Sequence, residues 1–467
     1  MGGFFGTISK TDCVRDLYYG TDYHSHLGTK KGGMAVKNGI GFKRGIHNLE
    51  NSYFRSKFES ELNEFNGKSG IGVISDFEAQ PIIINSHLGE FAIVTVSKVN
   101  NLEELTQRAL KQNRHFAEVS PEGTNPTELI AMLICEKESI EAGIVHVYEK
   151  VKGSCSMLIL TKEGIYAGRD KLGRTPILIG KKEGAYAFAF ESSSFTNLGF
   201  ETDKYLGPGE IVFATAEGYE TLKEPFDKMQ ICAFLWVYYG YPSSNYEDIN
   251  TEDCRYRCGA ALAKNDNVEV DFVSGIPDSG IAHAIGYSNE KKIPYKRAYV
   301  KYTPTWPRSF MPQNQEMRNL VAKMKLIPVK KLIKGKKIVF CDDSIVRGTQ
   351  FKDNVEILYE YGAKEVHVRP ACPTLIFPCE FLNFSRSRSN LDLAGRKAIK
   401  DLEGKDDVHL DEYATPGTDR YYAMIEKIRE RIGVTTLQYQ KLDDLIEAIG
   451  LPKERVCTHC WDGSSGF

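Results

Sequence analysis

A chain of two unlike halves, α+β up to about residue 228 and α/β with a parallel sheet beyond it, follows from three observations. The first half is made of short alternating or fully apolar segments, such as FAIVTVSKV, SCSMLILTKEGIYAG, AYAFAFESS and GEIVFATAEGYETL. Gly, Asn and Lys-Glu turns separate them, which is the pattern of hairpins, with helical stretches such as PTELIAMLICEK between. The second half changes rhythm to strand EVDFVSGIP, helix GIAHAIGYSNEKK and strand YKRAYVKY, then KKIVFCDD, QFKDNVEILYEYG and KEVHVRP. Strand alternating with helix implies a parallel sheet with crossovers. The third observation is size: 467 residues, 42% hydrophobic and 26% charged, supply more than one core.

At the start of the chain, MGGFFGTISK is too glycine-rich and short for a helix and too apolar for a disordered leader. It reads as a first buried strand, as a lipidation site at Gly2 or as a catalytic terminus. Lipidation needs Ser or Thr at position 6, where this chain has Gly6. In QFKDNVEILYEYG, Phe351, Val355 and Leu358 fall at i, i+4 and i+7 on one helix face, and Gly362 supplies a stop. The polar stretch 401–418 reads as a surface loop or insertion.

Bulk properties narrow the partners. A formal net charge of -2 leaves no electrostatic footprint for nucleic acid or an anionic membrane. No apolar run is long enough to span a bilayer, and the N-terminus lacks the basic start and apolar stretch of a signal peptide. A cytoplasmic protein is expected. Its eleven cysteines should then be reduced thiols, and a close cluster of them favours a metal over a disulfide.

The sharpest local signal is KKIVFCDDSIVRGTQ, residues 336–350. Ile338 to Cys341 make a buried strand, Asp342 and Asp343 sit at its carboxyl end, and a Ser-Ile-Val-Arg-Gly-Thr loop enters a helix. Ligands bind at the carboxyl ends of parallel strands, and a helix N-terminus after a glycine-bearing loop offers free N–H groups to phosphate. Adjacent carboxylates repel phosphate but suit ribose hydroxyls and Mg²⁺. The combination describes a sugar carrying a terminal phosphate, although an acid pair alone could equally be a solvated strand end.

The whole stretch resembles the phosphoribosyl pyrophosphate (PRPP) signature of type I phosphoribosyltransferases, and specifically the glutamine PRPP amidotransferase family. SGIPDSGIAHAIGYS is similar to that family's pyrophosphate loop, with Asp278, Ser279 and Gly280 matching. VKYTPTWPRSFMPQNQEMRNLVAKMKL is similar to its mobile loop, keeping Arg308, Phe310, Pro312, Lys323, Lys325 and Leu326. It departs from the family's Asn-Arg-Tyr-Val-Gly-Arg run by placing Pro304 and Pro307 before Arg308, which stiffens a loop that folds over substrate. The resemblance implies that Asp342 and Asp343 hold the ribose hydroxyls and Mg²⁺. It implies that the N–H groups of Val346, Arg347, Gly348 and Thr349, with the Ser344 and Thr349 hydroxyls, take the 5′-phosphate. Arg308, Lys325 and the Asp278–Gly280 loop are expected to organise pyrophosphate.

The tail carries Cys457-x-x-Cys460, which alone is ambiguous among zinc, a redox dithiol and an iron–sulfur cluster. Family members of the Bacillus type carry a [4Fe-4S] cluster, and by that resemblance Cys232, Cys379, Cys457 and Cys460 are its expected ligands. Singly, Cys232 and Cys379 would read as buried packing residues. Cys254 and Cys258, four apart on a helix, are assigned to packing.

The first half is similar to the family's glutaminase, an N-terminal-nucleophile hydrolase fold with αββα layers. Arg169-Asp170, Gly173-Arg174, Pro176, Glu191-Ser192 and Pro208-Gly209-Glu210 carry the match. That chemistry needs a terminal Cys activated by its own amine, an Arg for the glutamine carboxylate, an Asn-Gly oxyanion pair and an Asp for the glutamine amine. Here Gly2 stands at the Cys, Val96 and Ser97 at Asn-Gly, and Pro126 at the Asp. No Arg lies between Gly70 and Pro81, and HLGT keeps His26 and Gly28 but not the family's Arg or Gln. Neither Ser97 nor Thr7 can replace a nucleophile that shares its residue with the terminal amine.

The expected domains are 1–228, an inactive glutaminase-like unit; 229–445, the phosphoribosyltransferase; and 446–467, a tail closing the iron–sulfur site. The expected activity is transfer of phosphoribosyl from Mg²⁺–PRPP to ammonia or another amine, with pyrophosphate release and without glutamine hydrolysis. The rival expectation is a non-catalytic PRPP- or nucleotide-binding regulator, or a partner subunit of a working amidotransferase. Family resemblance also implies a homo-oligomer.

Overall fold

The computed structural model of the chain describes residues 2–120, 123–302, 325–382 and 389–464. In its first half two antiparallel sheets lie face to face. One has seven strands in the order Glu201–Tyr205, Leu178–Lys182, Ala185–Ala189, Gly2–Ser9, Ser69–Ser75, Lys31–Lys37, Phe42–Asn48. The other has six, in the order Tyr219–Lys223, Ile211–Ala214, Ile165–Gly168, Gly153–Leu160, Gly89–Val99, Ile82–Ser86.

Period-two side chains explain the layering. Phe4 joins Ala35, Ile71, Val73, Val94 and Leu158 in the core between the sheets. Phe5, its neighbour in sequence, faces outward with Met34, Val36 and Ile74 against Val14, Leu17 and Tyr18 of the helix Val14–Asp22. On the other outer face Ile93, Met157 and Ile159 meet the helices Pro126–Ile134 and Ile140–Lys150. Helix, sheet, sheet and helix are therefore stacked in the expected αββα order. The segment Gly2–Ser9 is a strand buried along its whole length.

The second half holds a parallel sheet in the order Phe272–Gly275, Lys337–Asp342, Glu365–Pro370, Thr436–Leu437. One face, through Phe272, Ile338, Phe340 and Val368, packs on Phe351, Val355 and Leu358 of the helix Thr349–Glu360 and on helices Ala394–Glu403 and Asp419–Ile432. Val273, Val339 and Cys341 face the other way, toward Leu262, Ala284 and Tyr287 of helices Thr251–Lys264 and Ile281–Lys291. That core is continuous with the one between the first two sheets.

Two expectations differ from the structure. The strand Tyr299–Lys301 pairs antiparallel with Leu326–Pro328 in a separate ribbon, and only Tyr295 bridges to Val273 of the parallel sheet. The polar stretch 401–418 is partly helical, with Ala394–Glu403 running into it and Leu410–Ala414 formed within it, because Tyr413 buries its ring (1% exposed) while the acidic residues face water. No helix among the described residues is long and apolar enough to cross a membrane.

Candidate functional site

Asp342 ends the central parallel strand and Asp343 follows it, both nearly buried at 8% and 6% exposure. Asp342 Oδ1 accepts from the Ser279 hydroxyl at 3.0 Å and from the Asp343 amide at 2.9 Å. Ser344 Oγ donates to Asp343 Oδ2 at 2.6 Å. Burial, and then the adjacent Asp343 carboxyl, push the Asp342 carboxyl well above the usual carboxylate range. The loop carrying Asp278 and Ser279 lies directly on this strand end. A Cβ on Gly280 would fall 2.2 Å from the Cys341 carbonyl oxygen and 3.0 Å from the Asp342 Cα, so only glycine allows the approach. Lys301 pairs with Asp278.

After the acids the chain turns through Ile345, Val346 and Arg347 to Gly348, whose φ of +76° sits in the left-handed region, and the helix begins at Thr349. Val346 accepts from the Ala394 amide at 2.7 Å, and Arg347 lies 3.5 Å from Asp392. First-turn N–H groups of this twelve-residue helix have no intrahelical partners and lie next to the acid pair. The structure thus gathers Asp278, Ser279, Gly280, Asp342, Asp343, Ser344 and the 346–349 loop at one strand end. Lys325 accepts from the Tyr302 amide at 3.0 Å at the end of the separate ribbon. Arg308, Phe310, Pro312 and Lys323 lie outside the described residues. An all-oxygen donor set beside N–H groups can hold a hydroxylated sugar, a hard cation and a phosphate together.

Cys232, Cys379, Cys457 and Cys460 line one cavity, together with Arg174, Phe381 and Trp461. Cys232 and Cys457 face each other across the parallel pairing of Ile231–Cys232 with Val456–Cys457. The Cys460 carbonyl accepts from the amides of Ile376 and Phe377, both at 3.1 Å, which brings the Cys379 loop alongside. A hydrogen bond from the Cys460 thiol, helped by the amides of Phe381 and Leu382 and by Lys98, brings the Cys379 thiol down to about 6. Burial pushes the Cys232 and Cys457 thiols up, and the bond to Cys379 with burial raises Cys460. Among the described residues no group of three or more His, Cys, Asp or Glu side chains is placed to hold a metal ion. Cys254 and Cys258 are fully buried in the helix Thr251–Lys264.

At the start of the chain, Gly2 pairs with Ser75, and a Cβ on it would stand 2.7 Å from the Ile74 carbonyl oxygen. Val96 is buried in the core between the sheets, and Ser97 Oγ lies 3.4 Å from Thr95 Oγ1. Pro126 is the first residue of its helix, capped by Asn125, whose side chain accepts from the amides of Thr127 and Glu128. His26 contacts the buried Glu191 at 2.9 Å.

The segment after Ser75, which the sequence marked only by a missing Arg, carries a polar network. Gln80 accepts from the Thr95 amide at 2.7 Å and donates to its carbonyl at 3.2 Å and to Glu78 at 2.9 Å. Thr127 donates to Glu78, whose carboxyl is raised by burial. Nothing local in the sequence announces this network, since its partners come from two distant elements.

The glutamine amidotransferase domain family matches residues 69–197. The chain is 30% identical to an amidophosphoribosyltransferase of Methanocaldococcus jannaschii, over 99% of this chain and 97% of that one. It is 28% identical to the amidophosphoribosyltransferase of Bacillus subtilis, over 96% and 89%. Its fold is similar to the solved glutamine PRPP amidotransferase of Bacillus subtilis complexed with ADP and GMP, with a TM-score of 0.83 and 27% identity over 99% of this chain and 97% of that one.

Proposed function

The chain belongs to the amidophosphoribosyltransferase family, and on that premise we propose that it transfers phosphoribosyl from Mg²⁺–PRPP to ammonia or another amine without hydrolysing glutamine itself. The observation that carries the transferase reading is the acid pair Asp342–Asp343 buried beneath the Ser279–Gly280 loop and beside a helix N-terminus. In the reaction a bond forms between the amine nitrogen and C1 of the ribose as the bond from C1 to pyrophosphate oxygen breaks, and the amine gives up a proton. No protein nucleophile is needed, so the residues act by position and charge. Asp342 and Asp343 would hold the ribose hydroxyls and Mg²⁺, whose role when bound is to neutralise charge on the leaving pyrophosphate. The Val346–Thr349 amides with the Ser344 and Thr349 hydroxyls would hold the 5′-phosphate. Asp278–Gly280, Lys325 and Arg308 would orient the pyrophosphate.

Four features support an inactive glutaminase site. The Gly2 position has no room for a side chain without moving the Ile74 backbone. Val96 points into the core, and Pro126 has no N–H and no carboxylate. The segment Ser75–Gln80 fills the space beside the strand end with its own Glu78 and Gln80.

The cysteine cavity fits a [4Fe-4S] cluster in donor chemistry, because four thiols on three separated segments line one space. A cluster there would pin the 446–467 tail across the transferase unit, which we take as 229–445, with 1–228 as the glutaminase-like unit. The test is pyrophosphate release from Mg²⁺–PRPP with ammonia, with other amines and with glutamine. Release with ammonia and none with glutamine is expected; release with glutamine but not ammonia overturns the reading.

A further inference from the structure

The cysteine cavity is walled partly by the first half of the chain. Arg174, fully buried, donates to Gln230 Oε1 at 3.1 Å and lines the cavity beside Cys457. Its guanidinium carbon stands 3.4 Å from the centre of the Phe381 ring, and its carbonyl accepts from the Cys232 amide at 3.2 Å. Lys98, which directly follows the altered oxyanion positions Val96 and Ser97, donates its ammonium to the Cys379 carbonyl. Asn100 donates to the Glu380 carbonyl at 2.7 Å. Two cations of the first half thus stand at the cysteine cavity. Four thiolates outweigh the charge of an oxidised [4Fe-4S] core, leaving net negative charge in a buried place, where it needs a counter-charge and N–H donors.

We propose that Arg174 and Lys98 are the counter-cations of the cysteine site, so that the first half holds the charge of a bound cluster. The inference rests on the iron–sulfur reading above. The potential of such a cluster is set by its net charge and by hydrogen bonds to its sulfurs, so removing either cation favours the oxidised form.

The full chain is purified anaerobically, assayed for iron and sulfide, and its reduction potential is measured by voltammetry beside Arg174→Gln, Arg174→Lys and Lys98→Met. Arg174→Gln is expected to shift the reduction equilibrium toward the oxidised form by about tenfold, which is about 59 mV for a one-electron couple. Arg174→Lys should recover more than half of that shift, and Lys98→Met should move the potential the same way by less. If Arg174→Gln fails to fold, Lys98→Met decides. Unchanged potentials in iron-replete variants overturn the counter-cation role and leave the cluster standing. A parent chain without iron and sulfide overturns the cluster reading itself.

Discussion

Replacing Asp342 with asparagine should make the ligand-free protein more stable while abolishing turnover. The two carboxyls are adjacent in sequence, the Asp343 amide reaches Asp342 Oδ1 at 2.9 Å, and both are nearly buried. Two unit charges about 4 Å apart at an effective dielectric near 20 repel by about 4 kcal/mol. The folded chain escapes part of that repulsion by keeping Asp342 protonated, which is the physical content of its raised pKa. Because the folded form then binds more protons than the unfolded form above the ordinary value of 3.8, stability contributed at this site falls as pH rises through that window. The Asp342→Asn side chain would keep the acceptor for Ser279 and for the Asp343 amide but carry no charge. A gain of about 1–2 kcal/mol near pH 8 corresponds to a rise of about 2–8 °C in the midpoint of a domain of this size. Near pH 5, closer to the ordinary value of 3.8, the gain should shrink. Scanning calorimetry without PRPP or Mg²⁺ at both pH values, with a pyrophosphate-release assay of the same samples, reads all of this. A lowered midpoint near pH 8, or a gain no larger there than near pH 5, refutes the account of the acid pair.

Gly2→Cys should not create a glutaminase, since its Cβ meets the Ile74 carbonyl at 2.7 Å and the family's glutamine ligands are replaced around it; glutamate formation above the blank would contradict this. Gly280→Ala forces the loop off the acid pair, and a misplacement of about 1 Å should cost about a hundredfold in kcat/KM for PRPP; steady-state kinetics within tenfold of the parent would argue against that contact. Cys379→Ser should lower bound iron sharply and expose the 446–467 tail to protease, so unchanged iron content counts against a four-cysteine site. Arg369→Met leaves Asp266 buried and uncompensated and should destabilise the second half by about 3–5 kcal/mol, read as a drop in its unfolding midpoint.

Features governed by local repetition were legible in the sequence. The alternation that sends Phe4 inward and Phe5 outward, and the helical spacing of Phe351, Val355 and Leu358, are written within a few residues. The acid pair and its loop were legible too, because one continuous stretch builds a strand end, a turn and a helix start. What escaped was set by partners far along the chain. Tyr299–Lys301 has ordinary strand composition, and only Leu326–Pro328, some two dozen residues on, decides that it forms a ribbon outside the parallel sheet. Leu410–Ala414 is too short for a period to show among polar neighbours. Glu78 and Gln80 carry no local signal, and their network depends on Thr95 and Thr127, which the sequence does not place beside them.

The same distinction explains how the first half could keep its fold with altered glutaminase positions. Four of the residues there that match the family, Arg169, Arg174, Glu191 and Ser192, are buried polar groups bonded to the second half. Arg169, with no exposed surface, reaches Glu247 at 2.8 Å and the carbonyl of Thr175 at 3.1 Å. Burial alone would raise the Glu191 carboxyl, but His26, by charge and hydrogen bond, together with Tyr246 brings it below the ordinary range, and it also accepts from the Tyr241 amide at 3.2 Å. Ser192 accepts from the Asn245 amide at 2.7 Å. Removing one partner of such a buried charge costs about 3–5 kcal/mol, a large fraction of what holds a domain folded. The altered glutaminase positions are held by local structure instead: Gly2 and Ser97 pair with Ser75 and Cys155 within their own sheets, Val96 fills the core and Pro126 starts a helix. Substitution at those positions leaves the fold in place, whereas substitution at Arg169 or Glu191 would loosen the segment 241–247 that leads into Thr251–Lys264, the helix packed behind the parallel sheet. Selection for the transferase half alone would therefore be enough to preserve the architecture of the first half, whatever happens at its glutaminase positions.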